Sequence, residues 1–359
     1  MKKHFNTFDA LRFFAFLKVF LFHLPIEIFP LFNYLKSGGG IGVYFFFVLS
    51  GFLITYIILE EKKHTGSLHL GNFFMRRILR IWPLYYLMIG IAFATPYLLS
   101  LLQLNYSDNG YQPDWLMSLA FLENYKMIFE GVYPNVSPLG AMWSLCVEEH
   151  FYIVWGILLS VVSIKKTPIV IIGSILLSAL SIIVFIQYDV WPLDISTNLI
   201  YFSFGAIPAY LLSTNEARVG HAATTIPFIY MVSWIVCTIV YVTVAPNIAY
   251  PFHELVDAIM LSLLFSGIIF LVITGGKFKI EDDNVFSRLG KYTYGMYLYH
   301  VLVIAVLIQV FIKNKWAIDT SFQAILFLCS ALIMTVSISV VSYELFEKQF
   351  LKLKRYFYK

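Results

Sequence analysis

The sequence predicts an all-α polytopic membrane protein with about ten transmembrane helices and both termini in the cytoplasm. Three observations carry that prediction. First, 60% of the 359 residues are hydrophobic and 13% are charged, too few polar side chains to clothe a soluble protein of this size. Second, apolar runs of spanning length recur at about 8–29, 39–59, 83–104, 141–164, 168–187, 192–213, 224–244, 253–274, 292–312 and 321–346. Third, lysine and arginine are distributed unevenly between the connections. With the N-terminus inside, the even-numbered connections hold Lys62, Lys63, Arg76, Arg77, Arg80, Lys165, Lys166, Arg218, Lys277, Lys279, Arg288 and Lys291, and Lys348 to Lys359 follow the last run. The opposite connections hold Lys36, Lys126, Lys313 and Lys315, so the bias sets both termini inside.

Other classes fit poorly. The net charge of +4 is modest, and nothing points to nucleic-acid binding. Cys146, Cys237 and Cys329 stand far apart in apolar runs and read as small hydrophobes, giving neither a disulfide framework nor a metal site. Lys2 and Lys3 before an apolar run resemble the start of a signal peptide. That run is too long, contains Arg12 and lacks a small-residue cleavage site, so it reads as a retained helix. The chain reads as one membrane domain over 1–359, since no segment between runs is long enough to close a soluble core. The longest outer connection, 104–140, carries aromatics and turn signals at Asp108-Asn109-Gly110 and Pro134-Asn135, which suit an ordered lid.

The first run, Phe8 to Pro30, carries Asp9, Arg12, Lys18 and His23. A cation at mid-depth costs roughly 2.5–3.5 kcal/mol, so such residues face a polar interior and serve a function, or snorkel to headgroups. Arg12 and His23 lie eleven residues apart, about three turns, on nearly one stripe and roughly 16 Å apart along the axis. Lys18 falls off that stripe.

The second run, GGGIGVYFFFVLSGFLIT over 38–55, has glycines that let helices approach closely, with Ser50 able to bond across them. Before the third run lies NFFMRRILRIWP, 72–83. If helical, it gathers Arg76, Arg77 and Arg80 into one basic stripe against an apolar stripe of Phe74, Ile78 and Ile81. Such a stripe suits lipid headgroups or, through bidentate guanidinium forks, the phosphates of a ligand.

The fourth run opens with WSLCVEEHFY, 143–152, where Ser144, Glu148 and Tyr152 share a face and Glu149 points elsewhere. Glu148, if buried near His23, would orient that imidazole and stabilise it when protonated. Glu27, four residues past His23 and across Pro25, is an alternative orienter. The ninth run opens with YTYGMYLYH, 292–300, and His300 reads as a hydrogen-bonded structural histidine because no acid lies at pairing distance in sequence. The last closes with SYELFEKQF, 342–350, whose Glu344 and Glu347 can pair with basic connections. Runs five to eight carry no comparable charge cluster and read as scaffold.

Taken together, these patches resemble acyltransferase family 3, the bacterial integral-membrane O-acyltransferases, over nearly the whole chain. The likeness is carried in order by FDALR with Arg12 and then His23, by GVYFFFVLSGFLIT, by RRILRIWPLYY, by WSLCVEEHFY with Trp143 and Ser144, by YTYGMYLYH and by SYELFEKQF. Ala10, Thr293 and Gln349 depart from residues usual at those places. The resemblance implies His23 as catalytic base with Arg12 essential, and Arg76, Arg77 and Arg80 at an acyl-coenzyme A donor, by default acetyl-coenzyme A. It also implies a role for Glu148 and a place in the bacterial inner membrane. Asp9, Ser50, Trp143, Ser144 and His300 would support these groups.

Residues and resemblance agree on one expectation, with no bound cofactor and no metal. A cytoplasmic acyl-coenzyme A lays its phosphates on the basic stripe and its pantetheine arm past Arg12. His23 then takes the proton of a carbohydrate hydroxyl as it attacks the thioester. An acyl-enzyme on Ser50, Ser144 or Cys146 stays open, although none has a base beside it in sequence. The alternative is a transporter or flippase of lipid-linked sugars using Arg12 and His23 as a relay. Internal repeats would favour it, and none is visible.

Overall fold

Hydrophobic periodicity without strand-like alternation resolves into helices throughout. The computed structural model describes residues 7–26, 30–101, 109–135, 139–274, 279–316, 318 and 320–358. Among these residues there is no strand, and nine helical stretches are long and apolar enough to cross a membrane.

Those stretches contain α3 (Gly40–Thr65), α4 (Leu70–Leu101), α7 (Trp143–Val161), α8 (Thr167–Gln187), α9 (Ile195–Thr214), α11 (Phe228–Val244), α12 (His253–Ile273), α14 (Thr293–Lys313) and α15 (Ser321–Ser342). Shorter helices join them: α1 (Thr7–His23), α2 (Pro30–Lys36), α5 (Trp115–Leu119), α6 (Glu123–Glu130), α10 (Glu216–Thr225), α13 (Val285–Gly290) and α16 (Lys348–Leu353). Lipid-facing helices look as a bilayer requires: Ile169, Ile172, Leu176 and Leu180 on α8, and Ile229, Val236 and Ile239 on α11, are exposed.

Two elements differ from the sequence expectation. The run expected to span 8–29 is helical only over Thr7–His23, 17 residues, and is the tenth run that the nine spanning stretches leave out. Pro25 explains the stop: it lacks an amide hydrogen and drives Leu24 out of helical geometry. At 1.5 Å per residue α1 is about 25 Å long, so the helix by itself covers most of a roughly 30 Å hydrocarbon layer. It packs into the bundle on two sides. Phe8, Ala15 and Val19 join one buried cluster while Phe13, Phe16 and Phe20 join another. The second difference is that the basic segment 72–83 and the span after it form one 32-residue helix, α4, running through Pro83. The hydroxyl of Tyr294 donates to the Ile81 carbonyl, two residues before the proline, at 2.7 Å and ties α14 to α4 there.

Backbone contact joins α3 to α9. A Cβ added at Gly51 would lie 2.0 Å from the Phe202 carbonyl oxygen, and one at Gly205 1.9 Å from that of Val48. Phe202 is fully buried between Phe47 and Phe151, with ring centroids at 4.7 and 3.9 Å. This contact fixes α3, whose other face carries the site.

The stretch 109–135 folds over the ends of α4 and α7. Gly110 takes a φ of +105°, backbone geometry a side chain rarely adopts. Asp114 caps α5 through the amides of Leu116 and Met117 at 2.8 and 3.2 Å. Glu123, 1% exposed, accepts from the hydroxyls of Tyr111 and Ser118, and Tyr85 of α4 donates to the Ser118 carbonyl at 2.7 Å.

Replacing Gly205 with alanine should lower unfolding stability by roughly 1–3 kcal/mol, because two backbones must separate. Gly90→Ala, with nothing within 4 Å of the added carbon, should be neutral or slightly stabilising. Thermal unfolding in detergent checks both, and equal melting of the two variants would contradict the crossing.

Candidate active site

A cavity of about 500 Å³ opens among α1, α3, α4, α7 and α14, with the turns after α15 closing one side. Its lining contains six cations, Arg12, Arg76, Arg77, Arg80, Lys291 and Lys354, against three carboxylates, Asp9, Glu148 and Glu347. Such an imbalance in a low-dielectric wall favours an anionic occupant.

The three arginines of α4 are not equivalent. Arg76, 5% exposed, is committed to the fold: it pairs with Glu61 at 2.8 Å, donates to the Phe357 carbonyl at 2.6 Å and lies over the Tyr358 ring. Arg77 lies over the rings of Phe73 and Tyr152, each at 5.8 Å, and its buried Nε has no partner among the described residues. Arg80 is exposed to the cavity mouth. Arg77 and Arg80 therefore keep guanidinium donors for a ligand. Arg12, three residues after Asp9, forms an ion pair with it.

Glu148 lines the cavity but does not meet His23. Its Oε1 accepts from both Ser50 and Tyr152, joining α3 to α7. Glu149 is buried beneath Trp82, whose indole donates at 3.3 Å. Ser144 is 2.7 Å from the Tyr297 hydroxyl, which itself donates to the Ala141 carbonyl at 2.8 Å. Ser144 is thereby held as a donor with no base at its oxygen, poor placement for a nucleophile. Trp143 packs edge-on against Phe47 with centroids 6.1 Å apart. Cys146 is fully buried and its nearest polar side chain is Tyr85, 3.9 Å away.

The group beside His23 is His300. His23 Nδ1 lies 2.9 Å from the Val19 carbonyl and 3.3 Å from His300 Nε2, and His300 Nδ1 lies 2.6 Å from the Tyr297 carbonyl. A carbonyl only accepts, so in the neutral pair each Nδ1 carries the hydrogen, assigned from these partners. The single His23 Nδ1–H is then shared between the Val19 carbonyl and the more distant His300 Nε2, and the Nε2 lone pair of His23 is left for a substrate. The place expected for Glu148 beside His23 is thus taken by a second, fully buried imidazole. Glu27 lies outside the described residues.

His23 itself is not in the cavity lining. The inner end is formed by Phe46, Ser144 and Tyr297, and the Tyr297 ring lies 5.7 Å from that of His300. Arg12 and His23 share α1 as the spacing predicts, yet aromatic rings stand between the cavity and the histidines.

Sequence reasoning missed the His23–His300 contact and the closing wall. No spacing in one dimension reports that α1 packs on α14. The wall comes from a π-helical turn, Tyr343–Glu347, which places Tyr343 and Glu347 on the cavity. Such turns recur at functional sites, and the SYELFE patch was the available signal. Glu344 pairs with Lys291 at 3.6 Å and Lys348 at 2.5 Å, as its basic surroundings suggested. Among the described residues no group of acidic, histidine or cysteine side chains could hold a metal ion.

The chain is similar to known proteins. The chain is 39% identical over 160 residues to a Bacillus subtilis protein provisionally named a peptidoglycan O-acetyltransferase, covering 43% of this chain and 23% of that one. It is 35% identical over 164 residues to the peptidoglycan O-acetyltransferase OatA of Listeria monocytogenes, covering 43% of this chain and 24% of that one. A provisionally named O-acetyltransferase of Staphylococcus aureus is 25% identical over 366 residues, which cover 96% of this chain and 57% of that one. The chain thus spans between about a quarter and somewhat over half of these relatives. No solved structure matches. A family model described as an acyltransferase domain matches residues 5–344, and the chain therefore belongs to acyltransferase family 3.

Proposed function

We propose that the protein is a membrane O-acyltransferase that moves an acetyl group from cytoplasmic acetyl-coenzyme A to a hydroxyl of a cell-envelope carbohydrate. The observation that carries this reading is a cationic cavity whose inner aromatic wall, at Tyr297, lies beside a pair of hydrogen-bonded histidines. Family membership and relatives named for O-acetylation, two of them of peptidoglycan, support it. The lysine and arginine bias supports a cytoplasmic arginine mouth with both termini on that side, and bacterial relatives support a place in the inner membrane.

In this reading the donor's phosphates meet Arg77 and Arg80, whose forks match phosphate oxygens. The pantetheine arm runs along α1 past Arg12, with the Phe46 ring moving aside so that the thioester reaches His23. His23 Nε2 takes the acceptor's hydroxyl proton. The oxygen bonds to the acetyl carbon, the carbon–sulfur bond breaks, and the coenzyme leaves as a thiolate that is reprotonated. His300 orients His23 through Nδ1 and shares the developing charge. Glu148 holds Ser50 and Tyr152 and gives the arginine cluster a counter-charge.

Removing the base with His23→Ala should lower thiol release from acetyl-coenzyme A by about 10²–10⁴-fold while the protein still folds, and near-wild-type turnover would remove His23 from the chemistry. His300→Gln keeps a second acceptor for the His23 Nδ1–H, whereas His300→Leu leaves it the Val19 carbonyl alone. Turnover should fall further in the leucine variant, with the donor KM unchanged in both; equal turnover would reduce His300 to packing.

Changing Arg77 and Arg80 to glutamine should raise the donor KM about tenfold per lost charge-assisted bond. Arg76→Gln should instead lower thermal stability. A donor KM indifferent to the double change would return that segment to a headgroup-binding role.

A further inference from the structure

A second, smaller cavity of about 230 Å³ lies at the other end of α3. Gly40, Ile41 and Tyr44 of α3 line it, whereas Val43, Phe46 and Phe47 line the cationic cavity. Tyr44 and Phe47 are three residues apart, about 4.5 Å along the axis, so the two cavities approach each other across roughly one helical turn.

Their chemistry is opposite. Among the described residues no lysine or arginine lines the smaller cavity, which instead holds Asp257 and Glu254, the latter 3.3 Å from His253. Tyr241 and Tyr250 both donate to Asp257 Oδ1, at 2.6 and 2.5 Å. Oδ2 takes no bond among the described residues, and Tyr250 and Tyr241 hold the carboxylate in place. Tyr44 and Tyr201 stand with rings parallel, 4.2 Å apart and inclined by 6°. Asn198, 2% exposed, lies beside them with its amide hydrogens spent on the carbonyls of Pro192 and Asp194 at 2.8 Å each.

Phosphate would be repelled here. A neutral ligand rich in hydroxyls would find a fixed carboxylate acceptor, tyrosine hydroxyls and aromatic surface, the combination that recognises a sugar ring. The volume is below the roughly 300 Å³ where drug-sized pockets begin, so it holds about one ring. The position also fits. The glycine run 38–40 that walls this cavity receives the Phe22 ring, which lies 2.1 Å from where a Cβ on Gly39 would be, and His23 is the next residue.

We infer that this cavity is the acceptor subsite, binding one uncharged sugar ring through Asp257 and the tyrosines Tyr44, Tyr201 and Tyr241. The assignment rests on the acyltransferase reading for its purpose, but the binding is testable alone. The detergent-solubilised full chain is titrated calorimetrically with N,N′-diacetylchitobiose and with glucose 6-phosphate. The neutral disaccharide should bind saturably and the phosphorylated sugar at least about tenfold more weakly. Asp257→Asn should weaken the neutral sugar by about tenfold, and Tyr241→Phe by a few-fold, with Arg77→Gln and Arg80→Gln without effect.

Tyr241→Phe keeps the ring, so it carries the test if Asp257→Asn unfolds. Equal binding by wild type and both variants, preference for the phosphorylated sugar, or no binding of the disaccharide would overturn the assignment. Thiol release from acetyl-coenzyme A in the presence of a glycan fraction from the source cell separates the two claims. Release without disaccharide binding removes the subsite alone, and binding without release keeps the subsite and removes the acyltransferase reading.

Discussion

Charge inside a hydrocarbon layer is the constraint on which this structure depends. An unpaired ion there costs several kcal/mol or more, so every ionisable group in the bundle must be paired, hydrogen-bonded or open to a water-filled space. The chain meets that demand by placing Arg12 with Asp9, Arg76 with Glu61, and Glu148 with Ser50 and Tyr152, all around one cavity. A cavity with three excess positive charges, from six cations against three carboxylates, is incompletely neutralised by the protein. The remainder is what a polyanionic ligand would complete.

Packing turns that electrostatic arrangement into geometry. Glycines at 51 and 205 bring α3 and α9 into backbone contact, which sets where Ser50 and Phe47 stand. α1 is held on two faces by separate apolar clusters, which fixes the direction from Arg12 to His23. The smaller cavity inherits the same scaffold from the opposite end of α3. In the proposed reading a cationic cavity and a carboxylate-bearing one on a shared helix would divide the recognition of two unlike substrates by charge.

Much of this was legible in the sequence, for physical reasons that can be named. Run length and composition reveal membrane spans because a bilayer leaves few alternatives. Arg12, Arg76, Arg77, Arg80, Ser50, Ser144 and Glu148 were all singled out by charge or spacing, and all seven line one cavity. What was not legible depends on contacts between distant helices. The Glu148–His23 contact was inferred from residue type, but α14 rather than α7 packs beside the end of α1, and so His300 takes that place. Pro83 reads locally as a helix boundary, yet α4 runs through it. Pro25 does end α1, which shortens the run that composition alone reads as a span.

The most direct measurement is the appearance of labelled acetyl on a glycan. Labelled acetyl-coenzyme A is sealed inside proteoliposomes carrying the purified chain, and a glycan fraction from the source cell is supplied outside. The account predicts labelled ester on the glycan with the wild type and none with His23→Ala. Equal label with both, or label-free glycan while an unmodified glycan crosses the membrane, would contradict it and indicate transport.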